Sequence, residues 1–349
     1  MLRFLFVLLG TALCLASADA SAQEISARAA TIRLGGRLHS QYAGSSADGA
    51  YEQFFFRRVR LTVDVSVTEL FTARIQPDFA GGKARLQDAY VAFNFSDGFS
   101  LSMGQFKRAF DIFELASSTD LSLIERGGRI PGVDECTGVR GGCSYSGLTE
   151  RLLFAGRDQG LRLELSSGRI SFQGTMTNGL GINLLDENNA KSFSGRLTFD
   201  AGSGVSISGQ YGVHDYLDEA EESAYAGAWG ADVQVGEWRD GLLFQAAVVG
   251  GENWRAEVGP NEVPFTAVQG VASYYLPLDH SRYSGLEPLV RVSYADPDGD
   301  TADDGALIYT PGLMLYIQGK NKIGLNMDVY SRQTGGTDYS LKIQAFLHF

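Results

Sequence analysis

The chain has 349 residues, 44% of them hydrophobic and 20% charged, with 43 Gly, only 8 Pro and a formal charge of −12 from 41 acidic and 29 basic side chains. An aromatic content of 11% excludes a disordered chain, the acidic balance argues against a nucleic-acid binder, and three Cys are too few for a disulfide scaffold or a four-ligand structural zinc site. Length and a mean hydropathy of −0.07 suggest a soluble, two-domain protein, an inference that fails for barrels because they grow as one unit.

Residues 1–22 read as a cleaved secretory signal: Arg3 supplies the positive start, residues 4–16 form an apolar run, and Ala20-Ser21-Ala22 gives a small-x-small cleavage site. The run is shorter than the roughly 20 apolar residues a spanning helix needs. Cleavage removes Cys14 and leaves two Cys for an oxidising compartment.

Beyond the signal, period-two alternation over about ten residues recurs, closed each time by turn residues. It predicts strands near 32–42, 54–67, 71–79, 86–95, 99–108, 152–166, 170–177, 192–200, 205–214, 224–235, 242–250, 265–276, 286–295, 306–318, 322–331 and 338–349. In the last of these, Tyr339, Leu341, Ile343, Ala345, Leu347 and Phe349 share one face, while Ser340, Lys342, Gln344 and His348 share the other with Phe346. Tight turns such as Gly319-Lys320-Asn321 alternate with longer, acidic or Gly-rich loops such as 215–223 and 296–304, the arrangement of an outer-membrane barrel. A secreted all-β sandwich is the alternative. Against it, Tyr42, Phe93, Phe95, Phe99, Tyr225, Trp229, Tyr274, Tyr294 and Tyr339 lie near strand ends on apolar faces, as an aromatic girdle would. The opposing faces also carry too many charges for a packed interior, and a water-filled lumen removes that cost.

The fold expected is therefore an all-β, transmembrane antiparallel barrel of about sixteen strands. By parity its lumen receives Arg33, Arg37, Arg58, Arg60, Arg74, Arg162, Arg196, Arg291 and Lys342, against Asp64, Asp78, Asp88, Glu164, Asp200, Asp232 and Asp328. Arg37, Arg58, Arg60 and Arg74 fall on three adjacent strands as one basic wall, which would lower the energy of a passing anion. The competing reading pairs these arginines with Asp64, Asp78 or loop acids, as in a general porin. The connection 109–151 is too long for an ordinary hairpin loop, and its Phe110, Ile112, Phe113, Leu115, Leu121, Leu123 and Ile124 suggest packing against the inner wall as a constriction. Within it Cys136 and Cys143 are a disulfide candidate, with a free pair or a metal site the lesser alternatives.

Signals for enzymatic chemistry are weak. His39, His214, His280 and His348 sit on separate strands or turns without metal-ligand spacing, and no nucleophile elbow or phosphate-cradling Gly-rich loop occurs. No catalytic residue, metal or cofactor is expected, although a loop-borne enzymatic or adhesive role stays open.

Three segments resemble the phosphate-selective porin O/P family: FRRVR at 56–60, DFAGGKARLQDAY at 78–90 and GQFK at 104–107. The match is specific over about 54–130 and weak afterwards, apart from Phe349, which is similar to the terminal aromatic of outer-membrane barrels recognised by the assembly machinery. The resemblance implies a sixteen-stranded homotrimeric porin in outer-membrane lipid, with an Arg- and Lys-lined pore for phosphate or polyphosphate. It adds Lys107, Arg108, Arg126 and Arg129 as candidate ladder members. The chain is shorter than phosphate-specific members, and acidic loops would repel anions at the entrance. The expected function is passive diffusion of small anions; a non-selective general porin is the alternative.

Overall fold

The structure, a computed structural model, describes residues 23–27, 30–133, 135–136, 139–140, 143–218, 220–256 and 263–349. The signal at 1–22 lies outside the described residues.

Sixteen long strands form a closed antiparallel barrel. In chain order they are β1 (Ala30–Ser45), β2 (Gln53–Ser66), β3 (Phe71–Asp78), β4 (Arg85–Ser96), β5 (Phe99–Lys107), β6 (Arg157–Ser167), β7 (Ile170–Thr177), β8 (Ser192–Gly202), β9 (Val205–Leu217), β10 (Ser223–Glu237), β11 (Asp240–Asn253), β12 (Val263–Tyr274), β13 (Gly285–Asp296), β14 (Ala306–Gln318), β15 (Asn321–Arg332) and β16 (Thr337–His348). Each pairs with its neighbours in sequence, and β16 closes the ring on β1 with Arg37 opposite His348 and Ser45 opposite Ser340. All sixteen predicted strands are present.

The alternation sets which face meets which solvent. On β16, Tyr339, Leu341, Ile343 and Leu347 are exposed on the outer surface, while Ser340, Lys342, Gln344 and Phe346 are buried inside. A soluble protein would place these faces the other way round; an outer face of exposed apolar side chains is what hydrocarbon requires. Closure leaves no unpaired strand edge between β1 and β16, which a membrane would not tolerate.

The connections segregate by length. At one rim, here the turn rim, β6–β7, β8–β9, β10–β11 and β14–β15 are joined by two residues each. Ser203 and Gly204 both have positive φ, the backbone of a primed hairpin turn whose twist matches the strands. The opposite, loop rim carries the longer connections, including 46–52, 178–191 and 297–305.

The longest of these, 108–156, folds into the barrel. It contains α1 (Ile112–Leu115), capped by Asp111, and α2 (Tyr145–Arg151), capped by Ser144. Phe110, Phe113, Ile124, Tyr145, Leu148 and Phe154 form an apolar cluster with inward side chains of the far wall, among them Ala226, Ala228, Val249, Ala267, Ile308 and Met314. The small alanines of β10 and β12 leave room for the insert, and burying its rings supplies the energy that holds it. One side of the lumen is thus a dry core, where alternation alone suggests water throughout.

Polar anchors fix the insert's register. Arg291 Nη1 on β13 donates to the carbonyls of Glu125 and Arg126 at 3.0 and 2.8 Å, and Asn326 Oδ1 on β15 accepts from Ile124 N at 2.8 Å. Cys136 and Cys143 are disulfide-bonded, with Cα atoms 5.3 Å apart. Cys143 N donates to Tyr330 Oη on β15 at 3.1 Å, which ties the disulfide to the far wall.

Candidate functional site: a cationic constriction

The aqueous space that remains lies between the insert and the wall β1–β7. It narrows to a cavity of about 220 Å³ lined by Arg37, Arg60, Arg74, Lys107, Arg126, Arg157 and Arg162, with Asp88 as the only carboxylate in the lining among the described residues. Leu115, Ser117 and Ser118 of the insert face these cations.

Strand register explains the clustering. Arg37 on β1 stands directly opposite Arg60 on β2, a like-charge juxtaposition that is unfavourable by itself. Asp78, opposite Arg60 on β3, compensates through an ion pair of 2.6 Å, with Asp78 Oδ1 also accepting from Val59 N. Two rungs away Asp64 opposes Arg74, and Arg74 Nε meets Asp64 Oδ1 at 2.6 Å. Further round, the Arg162 guanidinium lies over the rings of Tyr90 and Phe106, 4.8 and 5.1 Å from their centroids. Stacking of this kind holds a guanidinium in place without neutralising it.

Five of the seven cations have a carboxylate partner: Arg60 with Asp78, Arg74 with Asp64, Arg157 with Asp88 at 2.7 Å, Arg162 with Glu164 at 3.3 Å, and Arg126 with Glu114 at 3.7 Å. Arg37 and Lys107 form no ion pair among the described residues. Lys107 Nζ donates to the carbonyls of Glu114, Leu115 and Ala116, at 2.5, 3.1 and 2.8 Å, and so pins the end of α1. Arg37 donates from Nη1 to Ser118 Oγ at 2.7 Å. The constriction therefore combines a transverse field of paired charges with two cations in excess.

Of the residues singled out from the sequence, Arg37, Arg60, Arg74, Lys107 and Arg126 meet here. The other three lie outside this cavity. Arg58 is 3% exposed and outside the lining, because the insert covers its stretch of β2. Arg108, 2% exposed, reaches back to the Leu153 carbonyl and braces the insert's root. Arg129 lies in a vestibule of about 1240 Å³ at the loop rim.

Arg157 was not legible, since parity counted from Arg162 puts it on the lipid face; the strand leaves the insert through Gly156 at φ 92°, and Arg157 turns inward to Asp88. Arg162 was legible as a lumen residue but not as part of the constriction. Arg57 is directed inward by a register shift where β2 pairs with His39 and Ser40, and there grips Glu125 of the insert. That pair sets the charge of the insert: against the cost of burial, Arg57 holds the Glu125 carboxyl down to about 2.

The sequence profile described as phosphate-selective porin O and P matches residues 32–227. No curated protein sequence matches the chain. Among solved structures, an anion-selective porin from Comamonas acidovorans superposes with a TM-score of 0.65 at 11% identity, covering 92% of this chain and 100% of that one. Salmonella typhi OmpF in complex with daunomycin gives 0.60 at 15% identity, covering 94% and 100%. Pseudomonas putida OprB gives 0.59 at 10% identity, covering 91% and 94%. At these identities the likeness is one of fold.

Proposed function

Since the chain belongs to the phosphate-selective porin O and P family and is an outer-membrane channel, we propose that it passes small anions, inorganic phosphate among them, by passive diffusion through the cationic constriction. The observation that carries this reading is the pair of uncompensated cations, Arg37 and Lys107, beside five ion-paired arginines in one cavity of about 220 Å³. The anion selectivity printed for the Comamonas acidovorans porin supports it, as does the family's description. The loop rim faces the exterior, where the basic vestibule around Arg129 collects anions, and the turn rim faces the periplasm. Among the described residues, the acids of 215–222 and 296–304 do not line that vestibule.

The channel assembles as a homotrimer, in line with the trimer form described for Vibrio cholerae OmpT, and Phe349 is the residue read by the barrel assembly machinery. A general porin with little ion preference is the second reading, and the five ion pairs favour it. Block of chloride current by inorganic phosphate in planar bilayers separates the two. The proposal expects block in the wild type and a several-fold higher half-blocking concentration in Arg37→Gln, whose side chain has no carboxylate to orphan. Phosphate without effect on the wild-type chloride current overturns the anion-site reading.

A further inference from the structure

The loop-rim vestibule has a chemistry that the constriction lacks. Six cations line it, against Glu125 as the single carboxylate among the described residues. Arg57 is committed to Glu125, and Lys342 to Asp328. Lys83, Arg85, Arg129 and Arg151 form no ion pair among the described residues. Glu52, although next to Tyr51 in sequence, lies against Gly44 rather than in the lining. Beside the cations stand apolar and aromatic surfaces: Tyr51, 81% exposed, Phe55 from β2, and Ile130, Pro131 and Val133 from the insert.

An inorganic anion has no use for this apolar half. Rings and alkyl groups facing an aqueous path carry a hydration cost unless something covers them in passing. Guanidinium groups match a carboxylate in two-pronged geometry, and Tyr and Phe faces match a ring. The vestibule, about 1240 Å³, is several times roomier than the constriction at about 220 Å³, so a ring-bearing anion has space to turn before it meets the narrow part. Ligand sites generally pair a broad apolar surface with a few convergent charged groups, and this lining does so.

We propose that the loop-rim vestibule is a capture site for aromatic carboxylates, organic acids with one anionic group on a ring, which the channel takes up alongside inorganic anions. This deepens the reading of the protein as an anion channel and rests on it. The ring lies against Tyr51 and Phe55, and the carboxylate accepts hydrogen bonds from Arg129 and Arg151.

Chloride current through single channels in planar bilayers tests it, with benzoate as probe and acetate as its ringless counterpart, each added on the loop-rim side. Benzoate is expected to block at roughly tenfold lower concentration than acetate, the ratio that about 1.4 kcal/mol of ring contact gives. In Tyr51→Ala and in Tyr51→Ala/Phe55→Ala the benzoate block weakens towards that of acetate, while acetate is unchanged. Arg129→Gln/Arg151→Gln weakens both. The single substitution at Tyr51 sits in a loop, and wild-type conductance shows that the barrel has formed. Equal block by benzoate and acetate in the wild type, or benzoate block unchanged by Tyr51→Ala, overturns the proposal. If the same channels are anion-selective by reversal potential, only the vestibule site has failed; if they prefer cations, the underlying reading has failed with it.

Discussion

Arg57 on β2 holds Glu125 of the insert with two parallel bonds, Nε to Oε1 at 2.5 Å and Nη2 to Oε2 at 2.9 Å. The pair bridges the basic wall and the element that narrows the channel, and Glu125 is 7% exposed. On the far side, Arg291 holds the Glu125 backbone carbonyl, so one residue of the insert is clamped from two opposite walls.

Removing one partner leaves the other buried and charged. Arg57→Gln is expected to destabilise the seated insert by about 3 kcal/mol, the lower end for a broken buried pair because Arg57 keeps some contact with water. Open-channel current noise should rise, and trypsin should cut within 108–156 faster. Arg57→Gln/Glu125→Gln should recover most of the loss, because no unpaired charge then remains. A quiet, protease-resistant Arg57→Gln channel would show that the apolar cluster alone seats the insert.

Asp111 gives the insert a pH dependence. It is fully buried, accepts from Phe113 N at 2.8 Å and Thr149 Oγ1 at 2.7 Å, and burial followed by the nearby Glu114 carboxylate pushes it up to about 7. An unfolded Asp titrates near about 3.9. Between these values the folded insert binds a proton that the unfolded segment does not. Its contribution is therefore complete at about pH 4 and below, and is lost as pH rises through about 7, by at most about 4 kcal/mol. Hydrogen exchange of 108–156, corrected for intrinsic rates, should show more protection at pH 5 than at pH 8, and Asp111→Asn should flatten the difference. An unchanged pH profile in that variant would remove Asp111 from the account.

Barrel closure depends on a glycine. Gly36 N donates to Phe349 O at 2.9 Å and Phe349 N returns a bond to Gly36 O at 3.2 Å, while the Phe349 ring lies over Gly36 so closely that a Cβ there would overlap its Cζ. Gly36→Val should force the ring off the strand at a cost of about 1–3 kcal/mol, as overpacking does elsewhere. Thermal unfolding in detergent should occur at lower temperature, with Gly36→Val/Phe349→Ala partly restored. Full stability of Gly36→Val would mean that the ring seat does not contribute to closure.

The barrel was legible because a strand with lipid on one side and water on the other writes a period of two into the chain, as in Tyr339 to Leu347 against Ser340 to Gln344. The same parity located Arg37, Arg60 and Arg74, whose strands run regularly through the constriction. It failed where regularity fails. Gly104, at φ 133°, breaks the alternation of β5, and Lys107 was available only through a family resemblance; Arg157 follows Gly156, at φ 92°. Arg58 sits at the correct parity yet is covered, because which wall an inserted loop packs against depends on side chains remote in sequence, such as Ala226 and Ala267, that single strands do not reveal. Ion pairing was legible only as an alternative: parity put Asp64 and Asp78 on the same lumen face as Arg60 and Arg74, and strand register, which brings them directly opposite, is what pairs them.

Anion selection by the constriction, as proposed, rests on its two cations in excess. The most direct measurement is the zero-current potential of single channels in a KCl gradient, compared with that of Arg37→Gln. Chloride is expected to dominate in the wild type, and the potential to move towards zero when Arg37 loses its charge, with the barrel and its ion pairs intact. A potassium-dominated potential in the wild type would contradict it.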